Sequence, residues 1–186
     1  VYDLMLFFCY RCSAYCQLTT NNYIVATFHR PSNVDDKKNF LFLIEMLNDI
    51  ARVKKIIFPI HPRTRKNLSD LGLLNNLSDN IILNDPIGYI DFISLVKDSL
   101  FVITDSGGIQ EETTFLGVPC IKLRKTTERS ITAEIGTNYL VGEDFSDAKS
   151  YISEILEGNA KKGLIPELWD GNAAERIVNI LLTHLS

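Results

Sequence analysis

The chain lacks a hydrophobic run that could cross a membrane. The apolar stretch at residues 4–10 ends at Arg11 after seven residues, whereas a membrane-spanning helix needs about 20 apolar residues. No basic segment precedes this stretch and no small-residue cleavage site follows it, so we expect no signal peptide. The protein is predicted to act in the cytoplasm, without a membrane as its partner.

A strong excess of either charge is also absent. The 19 Lys and Arg residues and the 23 Asp and Glu residues leave a formal net charge of −4, which argues against nucleic acid as the main partner. With 186 residues, of which 46% are hydrophobic, the chain is long enough for one domain with a core. Two full domains would be cramped.

Cysteine is sparse and forms no zinc pattern. Cys9 and Cys12 have the spacing of a redox or zinc motif, but no second CxxC pair follows them and no His lies nearby. Cys16 and Cys120 stand outside any such pattern. We therefore expect unpaired thiols, and we expect neither a metal ion nor a cofactor.

What the chain does have is a regular alternation of apolar runs and helical patterns. Such alternation is typical of βαβ units, in which helices cover both faces of a parallel sheet. We predict an α/β fold with a doubly wound, mostly parallel sheet of the Rossmann-like type. The predicted strands are residues 23–28, 55–60, 80–83, 100–104, 120–123 and 137–141. The predicted helices are residues 35–52, 64–71, 91–97, 109–116, 146–157 and 173–185, with a linker at 159–172.

Polar residues follow the predicted strands at their carboxyl ends, which is where ligands bind in such sheets. His29 and Arg30 follow the first strand, where they are either an exposed loop pair or contacts to an anionic ligand. His61 follows the second strand. With Pro62 after it, His61 could equally mark the start of a helix or touch a ligand.

The fourth strand runs into Asp105-Ser106-Gly107-Gly108 and then into a helix. Amides that no side chain covers, at the positive end of a helix dipole, form a site for a phosphate. Glu112 lies one turn into the helix, where its carboxylate could accept hydrogen bonds from sugar hydroxyls. The structural alternative is that the glycines serve tight packing. Because the motif is neither GxGxxG nor GxxxxGK[ST], the segment favours a nucleotide diphosphate over nicotinamide binding or P-loop chemistry.

A group of cations follows the fifth strand. Arg124, Lys125 and Arg129 surround two threonines and a glutamate, and a charge run of this kind is usually a solvated loop. Here it falls at the predicted ligand edge, and an arginine can bind a diphosphate through two parallel hydrogen bonds. Arg129 is the preferred candidate.

Four segments together resemble the non-hydrolysing UDP-N-acetylglucosamine 2-epimerases. They are residues 27–35 (TFHRPSNVD), 105–112 (DSGGIQEE), 126–129 (TTER) and 170–177 (DGNAAERI). The resemblance extends to about residue 182 and so covers nearly the whole chain. It departs from the family at Pro31 and Ser32, where many members have a second Arg and a Glu, and at Ile87, where some have Gln.

The resemblance implies the second half of such an enzyme. The family has the glycosyltransferase-B type fold, in which the substrate lies between two Rossmann-like domains. Residues 1–20 would then be a helical remnant of the connection between domains, 21–170 the UDP-binding domain, and 171–186 a helix that packs back toward the N-terminal domain. The chain opens on Val1 rather than Met, so we expect a preceding segment.

The implied activity is conversion of UDP-GlcNAc to UDP-ManNAc by anti elimination and re-addition of UDP, in a homodimer of the full-length protein. The family's catalytic carboxylates lie in the N-terminal half, so this chain alone should bind UDP without catalysis. The alternatives are the donor domain of a glycosyltransferase, a hydrolysing relative, and a non-catalytic module that binds UDP-sugars.

The resemblance also assigns roles to individual residues. His29 is the implied catalytic residue, at the diphosphate or the reacting sugar, with Arg30 beside it as a substrate contact. Glu112 would accept the ribose hydroxyls, and Arg129 would neutralise the diphosphate. The remaining implied contacts are Phe92 to the uracil, Ser106, Gly107 and Gly108 to the phosphates, and His61 to a second, regulatory substrate site.

Overall fold

A computed structural model of the chain describes residues 22–142, 145 and 147–185. The predicted connection at residues 1–20, with Cys9, Cys12 and Cys16, lies outside the described residues. Within them the strands are β1 (Tyr23–Thr27), β2 (Lys55–Pro59), β3 (Ile81–Asn84), β4 (Val102–Thr104), β5 (Cys120–Lys122) and β6 (Asn138–Leu140). The helices are α1 (Pro31–Val34), α2 (Lys37–Ala51), α3 (Pro62–Asp70), α4 (Tyr89–Lys97), α5 (Ile109–Leu116), α6 (Ser130–Glu134), α7 (Ala148–Leu156) and α8 (Ala173–Leu185), with a 3₁₀ turn at Leu74–Asn76.

The strands form one parallel sheet in the order β3-β2-β1-β4-β5-β6. Alternate side chains of β1 enter two separate cores. Ile24 and Ala26 pack with α2 and α7 on one face, whereas Tyr23 and Val25 pack with α4 on the other. A sheet buried on both faces needs near-continuous apolar strands, as these are. The predicted doubly wound, Rossmann-like fold is confirmed.

Two short helices were not predicted from the sequence. The helix predicted from residue 35 begins at residue 37, because the Asp36 side chain accepts a hydrogen bond from the Asn39 N–H at 2.8 Å and caps α2. The residues before it form α1, which has only four residues. The five-residue helix α6 has one buried residue, Thr132, so it carries no apolar periodicity that a pattern search could detect.

The predicted linker at residues 159–172 contains no helix or strand, yet its first part is held in place. The Leu164 N–H donates to the Ile135 carbonyl at 2.7 Å, and a Cβ at Gly163 would lie 2.5 Å from the Gly136 carbonyl carbon. The helix that follows, α8, buries none of its residues. Among the described residues, no helix has the length and hydropathy that crossing a membrane would require.

Candidate functional site

The carboxyl ends of β1 and β4 form the crevice in which the predicted site lies. These strands are neighbours in the sheet, but the helices that follow them, α2 and α5, pack on opposite faces. At such a switch point the connections diverge and leave a gap in which ligands bind. The predicted loops 29–30 and 105–108 border this gap from its two sides.

Asp105 ties the two loops together. Its side chain is fully buried and accepts hydrogen bonds from the His29 N–H at 3.0 Å, the Arg30 N–H at 2.8 Å and the Asn33 side-chain amide at 3.1 Å. The His29 Nδ1 lies 3.3 Å from the same carboxylate, and the Arg30 Nε donates to the Asp105 carbonyl at 3.0 Å. The predicted residues His29 and Arg30 are therefore oriented by Asp105, to which the sequence assigned no role.

The loop between β4 and α5 opens on empty space. Gly108 has an ordinary helical φ of −65°, and Gly107 is not among the residues with a positive φ. A Cβ added to either glycine would meet nothing within 4 Å. Neither backbone conformation nor packing therefore requires glycine here, which removes the packing alternative. What the two glycines do provide is unobstructed access to the amides where α5 begins.

Glu112 lies behind this loop, on α5, and contacts the preceding helix, α4. Its carboxylate is hydrogen-bonded to the side chain of Tyr89, the first residue of α4. Burial raises the pKa of Glu112, the Tyr89 hydrogen bond lowers it, and the neighbouring charge of Glu111 raises it further. The carboxylate that is predicted to hold the ribose is thus partly desolvated, which strengthens any hydrogen bond it accepts.

Arg129 is attached to the first turn of α5. Its Nε lies 2.8 Å from Oε1 of Glu111, and the Thr127 hydroxyl donates to Oε1 of Gln110 at 2.7 Å. These two contacts hold the 126–129 segment against the end of the helix that carries the open amides. Arg124 instead pairs with Glu128, with 3.2 Å between Nη2 and Oε1.

A cavity of about 150 Å³ brings three of the predicted residues together. The His29 and His61 rings have centroids 5.2 Å apart, and Phe92 forms another wall. Phe92 also packs against the smaller of the two cores, so it is both a core residue and a wall of the cavity. The His61 Nδ1 accepts the Arg63 N–H at 3.1 Å and caps α3, so the structural alternative for His61 applies as well.

A second, larger cavity lies at the same edge of the sheet. It has a volume of about 390 Å³ and is lined by residues of α1 and of the loop after β5, including Ser32, Asn33, Arg124 and Lys125. Among the described residues, no cluster of His, Cys, Asp and Glu side chains could hold a metal ion.

A family profile described as UDP-N-acetylglucosamine 2-epimerase matches residues 4–182 of the chain. The chain belongs to this family. Among the relatives of this chain, a UDP-N-acetylglucosamine 2-epimerase from Methanococcus maripaludis is 38% identical over 175 residues, which make up 91% of this chain and 47% of that protein. A UDP-2,3-diacetamido-2,3-dideoxy-D-glucuronate 2-epimerase from Pseudomonas aeruginosa is 40% identical over 142 residues, 75% of this chain and 39% of that protein.

A solved structure of a family member has the same fold. The UDP-GlcNAc 2-epimerase of Methanocaldococcus jannaschii, crystallised with UDP-GlcNAc and UDP, superposes with a TM-score of 0.84 at 35% identity. The match covers 98% of this epimerase-family chain and 52% of that protein. The chain thus spans about half the length of the relatives that it matches, as expected for a C-terminal half.

Sequence reasoning missed three residues that shape the site. Asp105 was detectable in principle, since it directly follows a strand at the ligand edge. Tyr89 could not be linked to Glu112, because the two residues belong to different helices. Lys122 was hidden inside a predicted apolar strand, yet it is fully buried and its ammonium donates to the Ser106 carbonyl.

Proposed function

We propose that this chain is the UDP-binding half of a UDP-N-acetylglucosamine 2-epimerase, an isomerase that interconverts UDP-GlcNAc and UDP-ManNAc. The observation that carries the proposal is the open amide loop at the start of α5. A diphosphate in the space before Gly107 and Gly108 would accept hydrogen bonds from amides at the positive end of the helix dipole. The M. jannaschii relative, which binds UDP-GlcNAc and UDP, supports this ligand.

The groups around the loop correspond to the parts of a nucleoside diphosphate. Ser106 and the two glycines after it would bind the phosphates, and Arg129 would neutralise them from the facing loop. Glu112, one turn into α5, would accept the ribose hydroxyls. The uracil would lie beside Phe92, which lines the cavity that His29 and His61 also border. His29 would contact the diphosphate or the reacting sugar, and His61 would belong to a second, regulatory substrate site.

The reaction inverts C2 of the sugar without a redox step. A base removes the C2 proton, the C1–O bond to UDP breaks, and its electron pair leaves on the β-phosphate. The intermediates, 2-acetamidoglucal and UDP, remain in the site until UDP adds back to C1 and C2 takes a proton on the opposite face, which gives UDP-ManNAc. This half would stabilise the negative charge on the leaving phosphate through Arg129 and the amides of α5.

The proton transfers at C2 need groups above and below the sugar ring. We propose that these groups belong to a preceding half, and that α8 packs against it. The exposed apolar side chains of α8 would form the contact. They are Ile177 (57% exposed), Val178 (53%), Ile180 (59%), Leu181 (52%), Leu182 (63%) and Leu185 (83%).

Amide hydrogen exchange tests this packing. The amides of residues 173–185 should exchange fast in the isolated chain and slowly in a protein that also contains the preceding coding sequence, because packing suppresses local opening. Fast exchange of these amides in both proteins would rule out the contact.

Deuterium incorporation tests the activity. The protein that joins both halves is incubated with UDP-GlcNAc in D₂O, without an acceptor, and followed by NMR. UDP-ManNAc that carries deuterium at C2 is the expected product, because the C2 proton is lost and replaced. If UDP-GlcNAc is unchanged until an acceptor is added, the chain is a glycosyltransferase domain. Release of free ManNAc would indicate a hydrolysing relative.

A second sugar nucleotide belongs in the same experiment. Arg124 and Lys125 line the cavity of about 390 Å³ at the sheet edge, and cations there would attract the carboxylate of a uronate. The P. aeruginosa relative is named for such a substrate. A higher kcat/KM for UDP-2,3-diacetamido-2,3-dideoxy-D-glucuronate than for UDP-GlcNAc would mean that the uronate, and not UDP-GlcNAc, is the substrate.

A further inference from the structure

Lys122 is a buried cation directly beneath the amide loop. It ends β5 and pairs in register with Thr104 at the end of β4, and its exposed fraction is 0%. Its ammonium donates a hydrogen bond to the backbone carbonyl of Ser106, the first residue of the loop. A buried lysine is costly unless it is paired, so the position calls for a physical reason.

The hydrogen bond determines the direction in which the loop presents its amides. The Ser106 carbonyl and the Gly107 N–H belong to one peptide unit, and none of the peptide bonds in the described residues is cis. In a planar trans peptide the C=O and the N–H point in opposite directions. Because the Ser106 carbonyl points to the Lys122 ammonium, the Gly107 N–H points away from Lys122. The space that a side chain at Gly107 would occupy is open.

The charges around Lys122 favour an anion in that space. Arg124 is already paired with Glu128 at 3.2 Å. The other charges that act on one another here are the cations Lys122 and Arg30 and the anion Asp105. The Asp105 carboxylate accepts hydrogen bonds from two backbone amides and an asparagine. One positive charge is therefore not balanced locally, and a diphosphate would balance it.

We propose that Lys122 is a positioning residue of the diphosphate site, which orients the Gly107 amide toward the ligand and adds a positive charge behind it. This inference rests on the proposed binding of a UDP-sugar. It differs from the roles of Arg129 and the α5 dipole, because Lys122 touches the loop from inside the protein and not the ligand itself.

The titration of Lys122 gives the inference a measurable signature. Burial lowers the pKa of Lys122 to about 8. The Lys122 charge is thus present below that pH and lost above it. The groups that face it are Asp105, which raises its pKa, Arg124 and Arg30, which lower it, and Cys120. Burial raises the pKa of the Cys120 thiol itself to about 12, so only Lys122 of this group changes charge near pH 8.

An anion near Lys122 stabilises its charged form, so binding near pH 8 must take up a proton. UDP-GlcNAc is the suitable probe, because its phosphates are diesters that do not titrate in this range. With a pKa of about 8, its affinity for the wild-type chain should fall about threefold between about pH 7 and 8.5. A residue with a purely structural role would produce neither the fall nor the proton uptake.

Calorimetry in buffers of different ionisation enthalpy measures both quantities. In the wild-type chain, we expect proton uptake near pH 8 and the fall in affinity. Lys122→Met should bind UDP-GlcNAc about tenfold more weakly at pH 7, with no pH dependence and no proton uptake. Lys122→Arg keeps a charge that does not titrate here, so it should bind without the pH dependence, and it serves if the Met variant does not fold.

Lys161→Met is the matched control. Lys161 also donates to a backbone carbonyl, that of Ala133, and burial also lowers its pKa. Ala133, however, belongs to α6 and not to the amide loop. This variant should keep the wild-type pH profile. If Lys122→Met or Lys122→Arg retains the pH dependence and proton uptake of a binding wild type, only the role of Lys122 is overturned. If the wild type does not bind UDP-GlcNAc at all, the proposed function fails together with it.

Discussion

The Nε of Arg129 lies 2.8 Å from Oε1 of Glu111, so the guanidinium is held at the end of α5 where the amide loop opens. Both side chains are substantially exposed, at 49% and 37%. An exposed ion pair of this kind stabilises a fold by only about 0–1 kcal/mol. Arg129 can therefore exchange Glu111 for a diphosphate at little cost in stability.

Replacing Arg129 should separate binding from stability. Arg129→Ala is expected to weaken UDP binding by about 10- to 100-fold, since a charge-assisted hydrogen bond contributes about 1.5–3 kcal/mol. The free energy of unfolding should change by less than about 1 kcal/mol. Titration calorimetry and denaturant unfolding measure the two effects.

Arg52→Ala is the control for this prediction. The Arg52 side chain is 79% exposed and pairs with Asp49. Arg52 precedes β2, so it lies at the amino ends of the strands, whereas the site lies at their carboxyl ends. It should leave UDP binding unchanged. Equal losses of affinity in the Arg52 and Arg129 variants would show that Arg129 acts only through general charge.

Gly107→Ala should reduce binding without destabilising the fold. The added Cβ meets no protein atom within 4 Å, and at a permitted φ the change should stabilise the chain by about 0.4–1 kcal/mol. The same methyl group occupies space that the diphosphate needs, so UDP affinity should fall at least about tenfold.

Gly117→Ala is expected to do the reverse. Gly117 ends α5 with a φ of +70°, a conformation that costs a residue with a side chain about 1–2 kcal/mol. Unfolding should therefore become easier while UDP affinity is preserved. Unaltered binding by Gly107→Ala would mean that the open space is not the ligand site.

Protonation of Glu112 should weaken ligand binding at low pH. Burial raises its pKa, so protonation begins at a higher pH than for an ordinary glutamate and removes the acceptor for the ribose hydroxyls. The affinity for UDP-GlcNAc should fall as pH drops through this raised pKa, and Glu112→Gln should remove that step. Tyr89→Phe removes the hydrogen bond that lowers the pKa, so its step should lie at higher pH.

The raised pKa of Glu112 affects stability and binding with opposite pH dependence. Between the unfolded and folded pKa values the native state holds more protons, so the contribution of Glu112 to stability decreases as pH rises. Glu112→Gln should thus unfold no more easily than wild type at pH 7 in thermal melts. A clear loss of stability in this variant would contradict the partial burial of a charged group.

Asp105 should be the most costly residue of the site to replace. Asp105→Asn puts a donor where the carboxylate accepts the His29 and Arg30 amides, and leaving such buried groups unpaired should destabilise the fold by about 3 kcal/mol. Asp85→Asn is the matched control, because Asp85 is 90% exposed. That variant should unfold within about 0.5 kcal/mol of wild type. Equal free energies of unfolding for the two variants would show that the Asp105 hydrogen bonds do not hold the two loops together.

Much of the fold was predictable because its signals are local. Most strands of the sheet are apolar runs, and the break after Thr104 is marked by the glycines of the loop. The short helices α1 and α6 escaped detection, because four or five residues are too few to display a helical period. The anchoring of residue 164 depends on a contact with Ile135, which no local pattern contains.

The candidate site was predictable to the extent that the sheet-edge rule applies. The rule grouped the loops at His29, Ser106 and Arg129, which contact one another or α5 through Asp105 and Glu111. It could not identify Lys122 or Tyr89, whose roles arise from hydrogen bonds between elements that are distant in the sequence. The substrate roles of the site residues stay predictions until ligand binding is measured.

The most direct test of the account follows the amide resonances of Gly107 and Gly108 in the ¹⁵N-labelled chain. Addition of UDP should shift both resonances, because their N–H groups would donate to the phosphates, whereas uridine at the same concentration should leave them in place. If millimolar UDP moves neither resonance, or if uridine moves them equally, the loop does not bind a diphosphate and the account is wrong.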